Sequence, residues 1–178
     1  MSKRIEQGFV LWFTGLPCSG KTTVADKVAE VLRKQERKVE RLDGDILRKS
    51  LSADLGFSKE DRQENIKRVT FISKLLSRNG IGVVTTFVSP YRDIRNKARK
   101  EVTNFIEVFV DCPLEVCKRR DVKGMYKLAE TAQIENFTGV SDPYEKPKSP
   151  EIIIDTDKET VEESCQEILK YLKSKSFI

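Results

Sequence analysis

Apolar positions along the chain change period several times. Residues 9–14 form an unbroken apolar and β-branched run stopped by Gly15, the pattern of a buried strand. Val24, Val28, Val31 and Leu32 then recur at helical spacing up to a charged end near Arg37. Residues 38–42 predict a second short strand, ending in Asp43-Gly44-Asp45. Across 61–79 the positions Ile66, Val69, Ile72, Leu75 and Leu76 again follow a helix, and Asn79-Gly80 supplies its stop. Residues 81–88, 105–110 and 152–154 predict three more strands, with helices near 92–100, 114–120 and 161–172.

Strands rich in Val, Ile and Phe that alternate with helices require a parallel sheet covered on both faces, so the class is α/β in three layers. The segment 121–150 breaks the alternation. It carries Gly124, Gly139, Pro143, Pro147 and Pro150 with few periodic apolar positions, and it holds Lys123, Tyr126, Lys127 and Phe137. Long irregular stretches inside compact domains are commonly functional, and a lid is the expectation here.

The 178 residues, 38% hydrophobic and 34% charged, fit a single domain spanning 1–178 and leave no room for a second catalytic one. The start MSKRIEQGFVLWF lacks a leader's cleavage pattern and no apolar run reaches membrane-spanning length, so a cytoplasmic protein without a membrane partner is expected. Four scattered cysteines read as reduced, packed thiols. A formal net charge of +5 without a basic tail fits a small anionic substrate; it does not by itself exclude nucleic acid, but the aromatics form no stacking platform. The absence of histidine rules out histidine acid/base chemistry and histidine metal ligation.

The sharpest chemical signal is Gly15-Leu16-Pro17-Cys18-Ser19-Gly20-Lys21-Thr22, a complete G-x-x-x-x-G-K-[ST] phosphate loop between an apolar strand and an amphipathic helix. Its glycines let amides turn toward phosphate oxygens, and the following helix directs its N-terminal dipole at the same anion. Lys21 is placed to reach β- and γ-phosphates, with the Thr22 hydroxyl on Mg²⁺. A GTP switch is disfavoured: Asn96-Lys97-Ala98-Arg99 ends on a base where a guanine reader needs a carboxylate, and Asp121-Val122-Lys123-Gly124 follows no strand.

Three other segments sit where strand ends face a common crevice. A helix beginning at Asp43-Gly44-Asp45 puts Asp45 and Arg48 on one face, fit to orient a hydroxyl and grip an anion, or else to form a cap with a surface ion pair. Arg62 and Asn65 repeat the spacing at the start of the next helix, and by themselves they read as a solvated face rather than a site. Ser89-Pro90-Tyr91-Arg92 reads either as site or as a plain strand-to-helix turn.

Taken together, GLPCSGKTT at 15–23, LDGDILR at 42–48, LGFSKEDRQEN at 55–65, VSPYRDIRNKAR at 88–99, FVDCPLEVCKRRDVKGMYKLA at 109–129 and FTGVSDPYEKP at 137–147 resemble the adenylylsulfate kinase family. The resemblance implies a P-loop NTP hydrolase-like sandwich with a mobile lid, the cofactors ATP and Mg²⁺, and phosphorylation of the 3′-hydroxyl of adenosine 5′-phosphosulfate, with a homodimer common in the family. It also implies roles: residues 15–23, Thr23 included, and Arg120 on ATP; Lys21, Asp45 and Ser89 at the reaction; Thr22 and Asp45 on the metal. Arg48, Phe57, Arg62, Asn65, Val88, Lys123, Phe137 and Thr138, with Asp45 and Ser89, fall to the phosphosulfate substrate, Phe57 and Phe137 flanking its adenine. Val88 and Pro17-Cys18 depart mildly from the family pattern. Another P-loop kinase for a small metabolite or nucleoside is the alternative.

Overall fold

A computed structural model describes residues 8–178; the reading of a missing leader rests partly on residues 1–7, which lie outside the described residues. Five parallel strands stand in the order β2-β3-β1-β4-β5, comprising β1 (Val10–Thr14), β2 (Val39–Asp43), β3 (Gly82–Thr86), β4 (Phe105–Asp111) and β5 (Ile152–Asp155). Every residue of β1 is buried, because this central strand is covered on both faces. Leu11 and Phe13 point to one side and Val10 and Trp12 to the other, the two-residue alternation of a pleated strand.

The first face is covered by α1 (Lys21–Lys34) and α7 (Val161–Ser174), which pack on each other. Val24, Val28 and Leu32 of α1 meet Ile168 and Leu172 of α7. A reciprocal cap fixes where α7 begins: the Thr160 hydroxyl accepts from the Glu163 amide and the Glu163 carboxylate accepts from the Thr160 amide. The second face is covered by α3 (Lys59–Ser77) and α4 (Arg92–Glu101), whose Ile66, Val69, Ile94 and Ala98 pack under Trp12. Ser58 caps α3 by accepting from the Asp61 amide. The predicted three-layer α/β sandwich is thereby formed.

The chain crosses from β3 to β4 over β1, so the sheet order reverses at the strand that carries the phosphate loop. In open α/β sheets ligands collect beyond the carboxyl ends of strands at such a point. Thr14, Asp43, Thr86 and Asp111 end their strands there.

Two local expectations are corrected. The helix entertained at residue 43 does begin there but lasts a single turn, α2 (Gly44–Leu47), with Arg48 as its C-cap. The surface ion pair considered for Asp45 and Arg48 is not made: Arg48 bonds main-chain carbonyls and Asp45 meets Lys123. The segment 121–150 is not uniformly irregular. After α5 (Leu114–Arg119) it holds α6 (Met125–Glu130), which buries only Tyr126 and Ala129, too few positions to print a period. Asp121 starts α6 by accepting from the amides of Met125, Tyr126 and Lys127. Farther on, the segment is tied to the sheet: Tyr144 stacks on Phe109, with ring centroids 6.1 Å apart, and shares a 3.0 Å hydrogen bond with Thr14. The Glu145 amide donates to the Pro90 carbonyl at 2.8 Å. Residues 144 and 145, near the far end of the segment expected as a lid, are thus anchored at the strand ends.

A buried charge network lies beneath it. Arg95, 2% exposed, donates through Nε to Glu107 at 2.7 Å and through its two other nitrogens to the Ser89 and Glu145 carbonyls, each at 2.6 Å. Arg99 links Glu107 to Glu151. Cys112, Cys117 and Cys165 are buried free thiols and Cys18 is half-buried. Among the described residues no helix is long and apolar enough to cross a membrane.

Candidate active site

Residues 15–20 turn between β1 and α1 because their backbones can go where side chains cannot. A Cβ on Gly15 would lie 2.6 Å from the Val110 carbonyl oxygen, and Gly20 has φ +91. Cys18, at φ +59, adopts a left-handed conformation without being glycine, and the Ser19 amide donates to the Leu16 carbonyl to close the turn. Lys21 opens α1, whose first turn holds no acidic residue. Its ammonium folds back to donate to the Gly15 carbonyl at 3.0 Å, the Leu16 carbonyl at 2.6 Å and the Ser19 hydroxyl at 3.3 Å. All three acceptors are neutral. Burial pushes the Lys21 amine down to about 8. A desolvated cation without a counter-ion in its cradle, at a helix N-terminus, is a site poised for an anion.

Two cavities share this loop. One, of about 570 Å³, is lined by Thr22, Thr23, Arg120, Val122, Thr156 and Val161 among others. Arg120 is fixed there by donating to the Thr156 hydroxyl at 3.2 Å and its carbonyl at 2.6 Å, while Thr156 donates to the Ser19 carbonyl at 2.7 Å. The second, of about 450 Å³, brings together all ten side chains expected to meet an acceptor: Asp45, Arg48, Phe57, Arg62, Asn65, Val88, Ser89, Lys123, Phe137 and Thr138. Cys18, Lys21 and Thr22 stand on the walls of both cavities.

The cationic residues of the second cavity are held in place by main-chain oxygens and by acids. Arg48 donates to the Leu55 and Gly56 carbonyls and lies 4.1 Å from the Phe57 ring centroid. Arg62 donates to the Phe57 carbonyl at 3.0 Å and the Thr138 hydroxyl at 2.6 Å, and also to the Asn136 carbonyl. Lys123 pairs with Asp45, whose hydrogen bond raises the lysine pKa. Phe57 is 54% exposed, whereas Phe137 meets the Tyr126 ring edge-on at 5.0 Å. Asn65 is buried, yet its Oδ1 has no partner among the described residues. A buried acceptor without a donor costs free energy unless a ligand or water completes it. Ser89 is buried at φ +39, and its hydroxyl accepts from the Trp12 indole at 3.2 Å. The neighbouring Val88 presents its carbonyl to the Thr14 hydroxyl at 2.8 Å.

The sequence reading passed over Asp43 in favour of Asp45. In the structure it is the Asp43 carboxylate that meets Thr22, accepting from its hydroxyl at 3.3 Å and from the Thr86 hydroxyl at 2.7 Å. Burial alone would raise the Asp43 pKa, but the hydrogen bonds from Thr86 and the Asp45 amide and the charge of Arg41 outweigh it, leaving the carboxyl below its ordinary range. Its position as last residue of a strand was a signal available in the sequence. Thr86 carried no such signal, because the apolar run predicts a strand over 81–88 and so places Thr86 inside it rather than at its end. The donor set of Thr22, Asp43 and Asp45 is all oxygen, and among the described residues no three acidic or cysteine side chains form a cage. That suits Mg²⁺, which keeps much of its water and binds through one or two side chains plus phosphate. Asn96–Arg99 lies inside α4 and forms no guanine reader, and Asp121–Gly124, the switch-like run, follows α5 rather than a strand and leads into α6.

The family model for adenylylsulphate kinase matches residues 7–155. A probable adenylyl-sulfate kinase of Pseudomonas aeruginosa is 59% identical over 163 residues, 92% of this chain and 76% of its own length. The adenylyl-sulfate kinase of Halothermothrix orenii is 53% identical over 175 residues, covering 98% of this chain and 95% of its own. The Mycobacterium tuberculosis APS kinase, solved with AMPPNP and APS, superposes with a TM-score of 0.90 at 41% identity, over 94% of this chain and 98% of that one. A complete phosphate loop with two cavities meeting on it, together with relatives matched over nearly the whole length, settles the kinship: this chain belongs to the adenylylsulfate kinase family.

Proposed function

We propose that this protein transfers the γ-phosphoryl group of Mg·ATP to the 3′-hydroxyl of adenosine 5′-phosphosulfate, giving 3′-phosphoadenosine 5′-phosphosulfate. The observation that carries the reading is that Lys21 and Thr22 stand on the wall of both cavities, so one phosphate-binding loop serves a donor on one side and an acceptor on the other. The first cavity suits ATP, with residues 15–23 around its phosphates and Arg120 beside its base. The second suits an acceptor bearing phosphate, sulfate and adenine: Arg48 and Arg62 supply charge, Asn65 an unfilled acceptor, and Phe57 and Phe137 flat faces.

In this reading Lys21 neutralises charge developing on the transferred phosphoryl, and the chain's task is to position and neutralise rather than to form a covalent bond. Thr22, supported by Asp43 and Asp45, would hold Mg²⁺, which when bound would offset phosphate charge. Asp45 accepts the proton of the attacking hydroxyl once Lys123 leaves it for the phosphates. Ser89, its hydroxyl already engaged by Trp12, acts as a substrate contact. The single domain 1–178 then closes its segment 121–141 over the site to exclude water, a competing acceptor.

A coupled assay of ADP release tests this. Adenylylsulfate should give rapid turnover, with adenosine and AMP as poor acceptors; equal turnover of all three would favour a general nucleoside kinase. Asn65→Ala should raise KM for adenylylsulfate about ten- to a hundredfold, the cost of a hydrogen bond in a charged site, and leave KM for ATP nearly unchanged. Equal effects on both substrates would reject the acceptor assignment.

The lowered pKa of Lys21 gives a second test. Between about pH 8 and the ordinary lysine value of 10.5 the amine is neutral in the empty protein, and bound phosphates favour recharging it. At pH 9 AMPPNP binding should therefore take up a proton, and affinity should fall as pH rises above 8. For folding the sign is opposite: in that window the unfolded chain binds the extra proton, so this group makes the empty protein more stable as pH rises. Calorimetry at pH 9 in two buffers of different ionisation enthalpy measures the uptake. Identical heats in the two would contradict a buried, depressed Lys21.

A further inference from the structure

Asp142 has no part in the roles above, yet it stands where three of their components meet. Its carboxylate accepts from the Tyr91 hydroxyl at 2.9 and 3.0 Å through its two oxygens, and Oδ2 lies 3.9 Å from Arg62 Nη1. Both members of that ion pair are largely buried, with side chains 15% and 12% exposed. The main chain of Asp142 is engaged as well. Its amide donates to the Phe137 carbonyl and its own carbonyl accepts from the Gly139 amide at 2.8 Å, closing the turn that carries Phe137 and Thr138. Tyr91 is buried at the start of α4, a rigid base for the arrangement.

Arg62 needs such support. Its hydrogen bonds use three of the five guanidinium N–H groups, all to neutral oxygens of Phe57, Asn136 and Thr138. Among the described residues its ion pair is with Asp142. An arginine recognises phosphate or sulfate through a planar fork, so its value depends on orientation as much as on charge.

We infer that Asp142, propped by Tyr91, is a positioning residue that sets the Arg62 guanidinium and the Phe137–Thr138 turn in the geometry that receives the anionic acceptor. The inference rests on the assignment of Arg62, Phe137 and Thr138 to adenylylsulfate made above. Its sign is what makes it decidable. By charge alone, a carboxylate beside the acceptor's arginine repels an anion, so removing it would tighten acceptor binding. By positioning, removing it weakens acceptor binding.

Asp142→Asn keeps the size and an acceptor for Tyr91, but loses the charge and turns an N–H toward Arg62. The expected result is about a tenfold fall in kcat/KM for adenylylsulfate, the scale of one impaired charge-assisted hydrogen bond, carried by KM, with KM for ATP and saturating kcat changed less than about threefold. In an Arg62→Ala background the same substitution should add little, because its effect runs through the arginine. Tyr91→Phe removes the prop without altering charge and should raise the acceptor KM by a smaller factor. The inference is overturned by an unchanged or lowered acceptor KM in Asp142→Asn or Tyr91→Phe. It is equally overturned by an Asp142→Asn penalty undiminished in the Arg62→Ala background, or by one falling alike on ATP, as loss of fold would. Normal turnover of adenylylsulfate by the unaltered chain separates these failures from failure of the functional reading; a chain that ignores adenylylsulfate sinks both.

Discussion

Lys21→Met is expected to lower kcat for ADP release by at least about 10² to 10³-fold while leaving the fold intact, the scale found for losing one preorganised donor to transition-state charge. Methionine keeps the apolar stem that packs at the head of α1 and removes only the ammonium. The protein sacrifices favourable solvation to keep this group where it is: burial depresses its pKa, and its acceptors are two carbonyls and a hydroxyl rather than a carboxylate. A cation so placed weakens the empty fold, so its removal should not lower the melting temperature appreciably. Intact melting with lost turnover is the combined signature, read by a thermal scan and a coupled assay on one preparation. Turnover within tenfold of the parent would refute the role of the phosphate loop in transfer. The proton uptake at pH 9 should vanish in the same variant, tying the titration to Lys21.

Glu107→Ala should have the opposite profile, a large loss of stability with its effect on catalysis following from that. Glu107 faces two arginines, bonded to Arg95 at 2.7 Å and Arg99 at 3.1 Å, with its own side chain 7% exposed and that of Arg95 2% exposed. Removing one member of a buried pair strands its partner's charge, which costs about 3–5 kcal/mol. For a domain of this size that corresponds to a melting temperature lowered by about 10 °C. The loss reaches the site because Arg95 also holds the Ser89 and Glu145 carbonyls, and so ties the left-handed Ser89 turn to the anchored end of the segment over the cavity. A shift under about 2 °C would mean that water replaces the carboxylate and that the network is not sealed. Glu107→Gln, which keeps an acceptor for Arg95, should lose less than the alanine variant.

The contrast between these variants follows from how each charge is used. Lys21 has only neutral oxygens as hydrogen-bond acceptors until a ligand arrives. Arg95 is compensated within the fold. A +5 net charge counts both alike, which is why composition could only suggest an anionic ligand.

Much of this was legible before any coordinates. The five strands and the longer helices appear within a few residues of where apolar periodicity put them, because each buries a face wide enough to print its period. The six residues of α6 bury two, and the single turn of α2 buries none, so neither prints one. The family resemblance gathered ten acceptor-side residues from scattered segments, and the structure lines one cavity with all ten. Periodicity and spacing alone put Arg62 and Asn65 on a solvated face, whereas both line the cavity and Asn65 is buried.

By itself the sequence determined the alternating strands and helices, the parallel sheet they require and the phosphate-binding turn, since each of these is written in contiguous residues whose backbone preferences and burial pattern are local. Only the tertiary structure decided the partnerships: Asp43 rather than Asp45 against Thr22, Lys123 on Asp45, Arg62 on Thr138 and Asp142, and Arg95 on Glu107 and Glu145. Several of these pairs lie more than seventy residues apart in the chain. Which oxygen a buried nitrogen finds is settled by how the layers pack, because every charge taken out of water must meet a partner wherever the fold has brought one.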